Sequence, residues 1–174
     1  MKQAPAEPVS LACAVLTVSD TRGPGDDTSG NLLAQSLAQA GHQCVRRDIV
    51  KDDLYQIRRI ISDWIADPAV QVILTSGGTG FSHKDTVPEA IGPLLDRQIP
   101  GFGELFRQLS YEEIGSSALQ SRALAGYANQ TLLFCLPGSN NACETAWTRI
   151  IREQLDSGHR PCNFATHFKN REDN

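Results

Sequence analysis

Apolar positions along the chain alternate between two rhythms. Residues 10–18 form a continuous apolar run, which predicts a strand buried on both faces. Ser19 to Asp27 is loop chemistry, and a helix follows from about Thr28 with Leu33, Leu37 and Ala40 on one face and Gly41 as its stop. His42 to Val50 reads as a second strand. Asp52 is a candidate cap for the next helix, whose Leu54, Ile57, Ile61 and Trp64 recur at helical spacing before Pro68. Val70 to Thr75 is a third buried strand. Thr86-Val87-Pro88-Glu89 has the form of a capping box with an early proline, so another helix should start there. The Gly- and Ser-rich stretch 100–126 predicts at least one short helix near Glu104 to Leu109. Thr131 to Leu136 is a further strand, and a helix carrying Trp147, Ile150, Ile151 and Leu155 follows, with a polar, irregular tail from Asp156.

Strands alternating with helices predict an α/β fold, a mostly parallel sheet with helices on both faces. The loops after Val18, Thr75 and Leu136 each fall at the carboxyl end of a strand. Ligands of open α/β sheets bind at that edge, so these three loops should converge on one site.

Composition narrows the function classes. With 174 residues, 40% hydrophobic and 21% charged, the chain suits one folded domain rather than a disordered segment. A net charge of −4 and the lack of any Lys/Arg-rich run argue against a nucleic-acid partner or an anionic membrane surface. The five cysteines follow neither a C-x-x-C nor a zinc spacing, and their odd number points to reduced thiols. Met1 to Pro8 has no apolar core of a signal peptide and no apolar run is long enough to span a bilayer, so the expectation is a cytoplasmic protein.

The strongest chemical signal is Ser76-Gly77-Gly78-Thr79-Gly80 with Asp85 after it. Glycines free the backbone to turn successive N–H groups inward as an anion nest, and the Ser76 and Thr79 hydroxyls add donors. A following helix would add its positive end, and a phosphate is the natural guest; a plain βα turn has the same look. The P-loop pattern and G-x-G-x-x-G both fail, because His83 stands where each needs another residue. Asp85 beside such a nest calls for a cation, and Mg²⁺ bridging carboxylate and ligand phosphate would meet that need; alternatively Asp85 is a solvent-facing loop acid. Asp52 and Asp53 open a helix and read first as a cap and a dipole-favouring acid. Asp20 could accept hydrogen bonds from the amino edge of a heterocycle or close an Asx-turn. Pro137-Gly138-Ser139 is a turn or a second wall. No serine sits in G-x-S-x-G, and the histidines lack metal spacing.

Thr17-Val18-Ser19-Asp20-Thr21-Arg22, the Ser76–Gly80 loop with Asp85, Pro100-Gly101-Phe102-Gly103-Glu104, Ser121-Arg122-Ala123 and Leu136-Pro137-Gly138-Ser139 together resemble the MoaB/Mog molybdopterin-binding family. Thr145-Ala146-Trp147 and Arg160-Pro161-Cys162-Asn163-Phe164 resemble its bacterial MoaB branch. The resemblance spans residues 10–168, leaving a leader (1–9) and a polar tail (169–174). It implies a three-layer α/β/α sandwich with a mixed sheet, a trimer or hexamer, molybdopterin as ligand, and in active members ATP and Mg²⁺ for conversion to adenylyl-molybdopterin. Carried over by position, Asp52 and Asp85 match the two acids of active members, with Asp85 as the candidate Mg²⁺ ligand. Ser76, Gly77, Gly78, Thr79 and Gly80 match the molybdopterin loop, Ser19 and Asp20 the first-strand loop, and Pro137, Gly138 and Ser139 the opposite wall. The alternatives are a non-catalytic molybdopterin carrier or regulator and an oligomeric scaffold that meets other molybdenum-cofactor enzymes.

Overall fold

The computed structural model describes residues 7–168; the first six positions of the expected leader and the whole 169–174 tail lie outside them. Strand β1 (Ala12–Val18) is fully buried from Cys13 onward. Helix α1 (Thr28–Gln39) follows, capped by Asp27, and Gly41 leaves it in the left-handed region at φ 86°. Then come β2 (Gln43–Val50), α2 (Leu54–Ala66), β3 (Val72–Ser76) and α3 (Val87–Ile91). A two-residue strand β4 (Arg97–Gln98), α4 (Pro100–Ile114) and a 3₁₀ segment (Gly115–Gln120) lead to β5 (Leu124–Ala128) and β6 (Thr131–Leu136). Helix α5 (Asn140–Ala146) continues through a π-helical turn (Trp147–Ile151) into α6 (Arg152–Gln154).

The sheet order is β2-β1-β3-β6-β5-β4. The first four strands are parallel, and β5 and β4 add on antiparallel. Each side of the sheet has its own core. Cys13, Val15, Leu74 and Phe134 face Leu33 and Leu37 of α1, Phe102 and Phe106 of α4, and Trp147. Ala14, Leu16, Ile73 and Cys135 face Ile57, Ile61 and Trp64 of α2 with Val87 and Ile91 of α3. The molecule is therefore a three-layer α/β/α sandwich on a mixed sheet.

Two sequence expectations are corrected. The short helix near Glu104 to Leu109 is a fifteen-residue helix, started by Pro100 at its first position. Phe102, Phe106 and Leu109 bury its apolar stripe, and the tertiary contact outweighs the poor helix propensity of Gly101 and Gly103. The rest of the stretch forms β5, which turns into β6 through Asn129 and Gln130, both at positive φ as a tight hairpin demands. The tail after Asp156 is irregular as expected up to a 3₁₀ turn at Ala165–Phe168, yet it packs: Ser157, Asn163, Ala165 and Phe168 are buried, and the Ser157 hydroxyl accepts the Val9 N–H at 3.1 Å.

Candidate active site at the carboxyl ends of the central strands

The parallel register aligns Thr17, Ser76 and Leu136 across β1, β3 and β6, so the three expected loops leave the sheet side by side. Glycine makes their closeness possible. Gly77 has φ 98°, and a Cβ on it would lie 2.1 Å from the Val18 carbonyl oxygen. A Cβ on Gly138 would come within 3.3 Å of the Gly77 Cα. The Gly77 N–H donates to the Leu136 carbonyl at 2.9 Å, so it extends the sheet instead of joining an anion nest. Among the described residues, the N–H groups of Gly78, Thr79 and Gly80 donate to no protein acceptor, and three donors of the expected nest remain.

Beside them is a recess of about 180 Å³ lined by Ser19, Arg22, Ser29, Ser76 and Gly138 with Thr17 and Val18. The buried Ser76 hydroxyl lies 3.1 Å from that of Ser29, which also accepts from the Arg22 guanidinium at 2.8 Å. Arg22 is turned inward by its own N–H, which donates to the Ser19 hydroxyl at 3.1 Å. Asp27 anchors the floor. It is fully buried, caps α1 through the Gly30 N–H, accepts the Thr17 hydroxyl at 2.9 Å and pairs with Arg47 at 3.0 Å. A larger hollow of about 580 Å³ continues over the end of β2, where Arg22, Arg47 and Lys51 supply positive charge.

The acids lie on the other flank of the glycine loop. Asp52 is not the helix cap: Asp53 holds that role, accepting the Tyr55 and Gln56 N–H groups at 3.1 and 2.9 Å. Adjacent acids compete for one cap, and here the first turns away toward the site. Asp52 Oδ1 accepts both the N–H and the hydroxyl of Thr86, at 3.1 and 2.6 Å. Thr86 consequently makes no side-chain cap bond, and Glu89 pairs with Arg122, so the expected capping box is absent. Asp52 Oδ2 would be 2.8 Å from a Cβ on Gly78, and Asp85 Oδ2 2.7 Å from one on Gly80. The two carboxylates thus press on the loop at alternate residues. Burial holds the Asp52 carboxyl above the usual aspartate range against the Thr86 bonds, and repulsion from Asp85 and Asp20 adds to the rise. Asp20 is held below it by Lys84, 3.0 Å away, and by the Asp52 N–H. Oxygen donors only and the repulsion of Asp52 by Asp85 suit a hard divalent cation such as Mg²⁺.

Not every expected residue faces this centre. Ser139 spends its hydroxyl on the Ala142 N–H as the cap of α5, and Pro137 offers its carbonyl to the Cys143 thiol. The helix expected to start at Thr86 does so as α3, with residues 81–85 between it and Gly80. Ser29, Thr86 and Asp27 enter the site without a sequence signal beyond their nearness to a helix start. Arg22 and Lys84 sit within the very loops that the spacing highlighted.

The family model described as "Probable molybdopterin binding domain" matches residues 14–157. Molybdenum cofactor biosynthesis protein B of Escherichia coli K12 is 54% identical over 169 residues, covering 97% of this chain and 99% of that protein. A crystal structure of molybdenum cofactor biosynthesis protein B superposes with a TM-score of 0.82 at 43% identity, over 88% of this chain and 94% of that one. The tungsten cofactor synthesizing protein MoaB from Pyrococcus furiosus gives 0.75 at 35% identity, over 87% and 94%. Among the described residues no helix is long and apolar enough to cross a membrane.

Proposed function

The chain belongs to the MoaB/Mog molybdopterin-binding family, in its MoaB-type branch serving molybdenum cofactor biosynthesis, and from that premise we propose that it binds molybdopterin at the three central loops and adenylylates it with ATP and Mg²⁺. The observation that carries this reading is the pairing of free N–H donors at Gly78 to Gly80 with two carboxylates, Asp52 and Asp85, packed against the same loop.

The donors of residues 78–80, with Arg22 and the Ser76 and Ser29 hydroxyls nearby, hold the molybdopterin phosphate and the pterin-bearing chain. A phosphate oxygen of molybdopterin attacks the α-phosphorus of ATP, the bond from that phosphorus to the β-phosphate bridging oxygen breaks, and pyrophosphate leaves. The protein contributes position and charge compensation, the two effects on which such transfers depend. Asp52 and Asp85 would hold Mg²⁺, which when bound neutralises phosphate charge at this flank. At the hollow over β2, Arg22 and Lys51 offer positive charge to the polyphosphate, beside Arg47, which pairs with Asp27, and the acids Asp20 and Asp48, which also line it. A trimeric or hexameric, cytoplasmic protein is part of the same proposal. The α4 region supports it with exposed Tyr111, Ile114 and Leu119.

The test is pyrophosphate release from ATP and Mg²⁺ in the presence of molybdopterin. Release at a rate that saturates with molybdopterin supports the enzyme. Tight pterin binding without release leaves the carrier reading, which the Asp52–Thr86 bonds favour, since they give Asp52 a bracing role that needs no metal.

A further inference from the structure

The loop that carries Asp85 has almost no apolar anchor of its own. Between Gly80 and Thr86 no residue is fully buried, and Phe81 is 65% exposed. Beside the Lys84–Asp20 pair and the Asp52–Thr86 bonds, one side chain from elsewhere reaches both of its ends. The Arg122 Nε donates to the Gly80 carbonyl at 2.8 Å, and its Nη2 to the Asp85 carbonyl at 2.7 Å. Its Nη1 pairs with Glu89 at the start of α3, and its guanidinium lies 4.9 Å from the centre of the Phe81 ring. Its backbone N–H donates to the Thr79 carbonyl at 2.8 Å. A single planar fork therefore spans both ends of the segment, an arrangement for which arginine is suited and lysine is not.

Arg122 is itself braced. Arg107 of α4 donates to the carbonyls of Ser121 and Ala123, on either side of Arg122, at 3.3 and 3.1 Å. Gly103 makes room for that contact, since a Cβ there would lie 2.7 Å from both the Ala123 carbonyl and Arg107 Nη2. The chain of contact runs from α4 through Arg107 to the 121–123 backbone, then through Arg122 to the acid-bearing loop.

We propose that Arg122 is a positioning residue that fixes the Gly80–Glu89 segment so that the Asp85 carboxylate and the Gly78–Gly80 donors address the same ligand, with Arg107 fixing Arg122 in turn. The role in transfer rests on the adenylylation reading; the ordering of the loop does not.

The first measurement is amide hydrogen exchange of the ligand-free protein at Ser82, Asp85, Thr86 and Val87, whose N–H groups are bonded within the segment or to Asp52 and Gly78. Arg122→Gln removes several charge-assisted bonds, so exchange there should speed by roughly tenfold or more while β1 and β6 amides stay protected. Arg122→Lys should recover only part of the protection. If Arg122→Gln does not fold, Glu89→Gln removes the ion-pair partner at an exposed position and should speed the same amides to a smaller degree. Unchanged exchange in these amides in the folded variants overturns the proposal.

The second measurement separates positioning from mere stability. Arg122→Gln should lower kcat for pyrophosphate release far more than it raises KM for molybdopterin, and in an Asp85→Asn background it should cost less than about twofold further, because both changes act on one group. Losses that multiply overturn the transfer role. A wild-type protein with no release refutes the adenylylation reading alone and leaves the exchange result to decide the clamp.

Discussion

Asp52 and Thr86 are joined twice, the Thr86 hydroxyl at 2.6 Å and its N–H at 3.1 Å both reaching one carboxylate oxygen, so the loop after β2 is tied to the start of α3. The second oxygen is left against Gly78. Asparagine could keep both bonds through its carbonyl oxygen, which makes Asp52→Asn a clean probe of charge.

That substitution should alter the pH response. The folded Asp52 carboxyl titrates above its unfolded value, chiefly through desolvation, with Asp85 and Asp20 adding repulsion. The folded state thus holds its proton longer, and stability falls as pH rises from the unfolded value through the folded one, then stays lower. Asp52→Asn removes this decline. In denaturant titrations the change in stability from pH 4 to pH 7 should be more favourable in the variant than in wild type, because a contribution that falls with pH is gone; an equal change refutes the assignment.

Asp85→Asn retains the shape that accepts the Ser82 N–H but loses the charge. Pyrophosphate release should drop by roughly two orders of magnitude, as when one strong electrostatic stabiliser is removed, with molybdopterin affinity little changed. Affinity falling as far as rate would mean that Asp85 contacts the pterin and not the transfer.

Two alanine substitutions in the glycine loop should differ in kind. Gly77→Ala forces a residue at φ 98° against the backbone oxygen of Val18, so it should destabilise the fold by roughly 3 kcal/mol or more. Gly80→Ala meets only the tip of the Asp85 side chain. It should fold with a loss of about 1 kcal/mol or less, yet impair transfer by displacing the carboxylate. Thermal melts beside single-turnover assays distinguish them, and equal melts for both variants would contradict the geometry.

Asp27→Ala should be costly away from any chemistry. It removes the α1 cap, leaves the buried Thr17 hydroxyl without its acceptor and takes the ion-pair partner from Arg47, which keeps only Asn31, a loss of about 2–4 kcal/mol by chemical denaturation. Leu119→Glu, by contrast, changes an 82% exposed side chain and should leave the melt of the subunit nearly unaltered. If the α4 region joins subunits, light scattering of that variant will report a smaller species than wild type.

Strands β1, β3 and β6 were legible because each is buried on both faces and reads as an apolar run. Strand β5, Leu-Ala-Gly-Tyr-Ala, was not, because small residues packed under α4 carry little strand signal. Helix α4 was shortened by its glycines, one of which exists to pass Arg107. The location of the site followed from the loops at the strand ends, but its wiring did not. Asp52 and Thr86 are remote in sequence, as are Arg122 and Gly80, and short-range spacing rules assign Asp52 and Thr86 to helix caps, whereas Asp53 caps α2 and the Thr86 side chain makes no cap bond to α3.

The pairing of Ser76 with Leu136 has a kinetic meaning as well. It closes a loop that contains α3, α4 and the β5 hairpin strand, a non-local contact of the sort that forms slowly because its entropy must be lost before packing rewards it. The Gly77–Leu136 hydrogen bond and the approach of Gly138 exist only after that closure. A nascent chain stopped before Thr131 would carry the glycine loop and both acids yet present no shaped cavity, so ligand capture should begin only once β6 has docked. A pterin phosphate that binds the finished state alone would then slow its unfolding and lift the melting point as its concentration rises, by about 2.7 kcal/mol of added stability at a hundredfold excess over Kd.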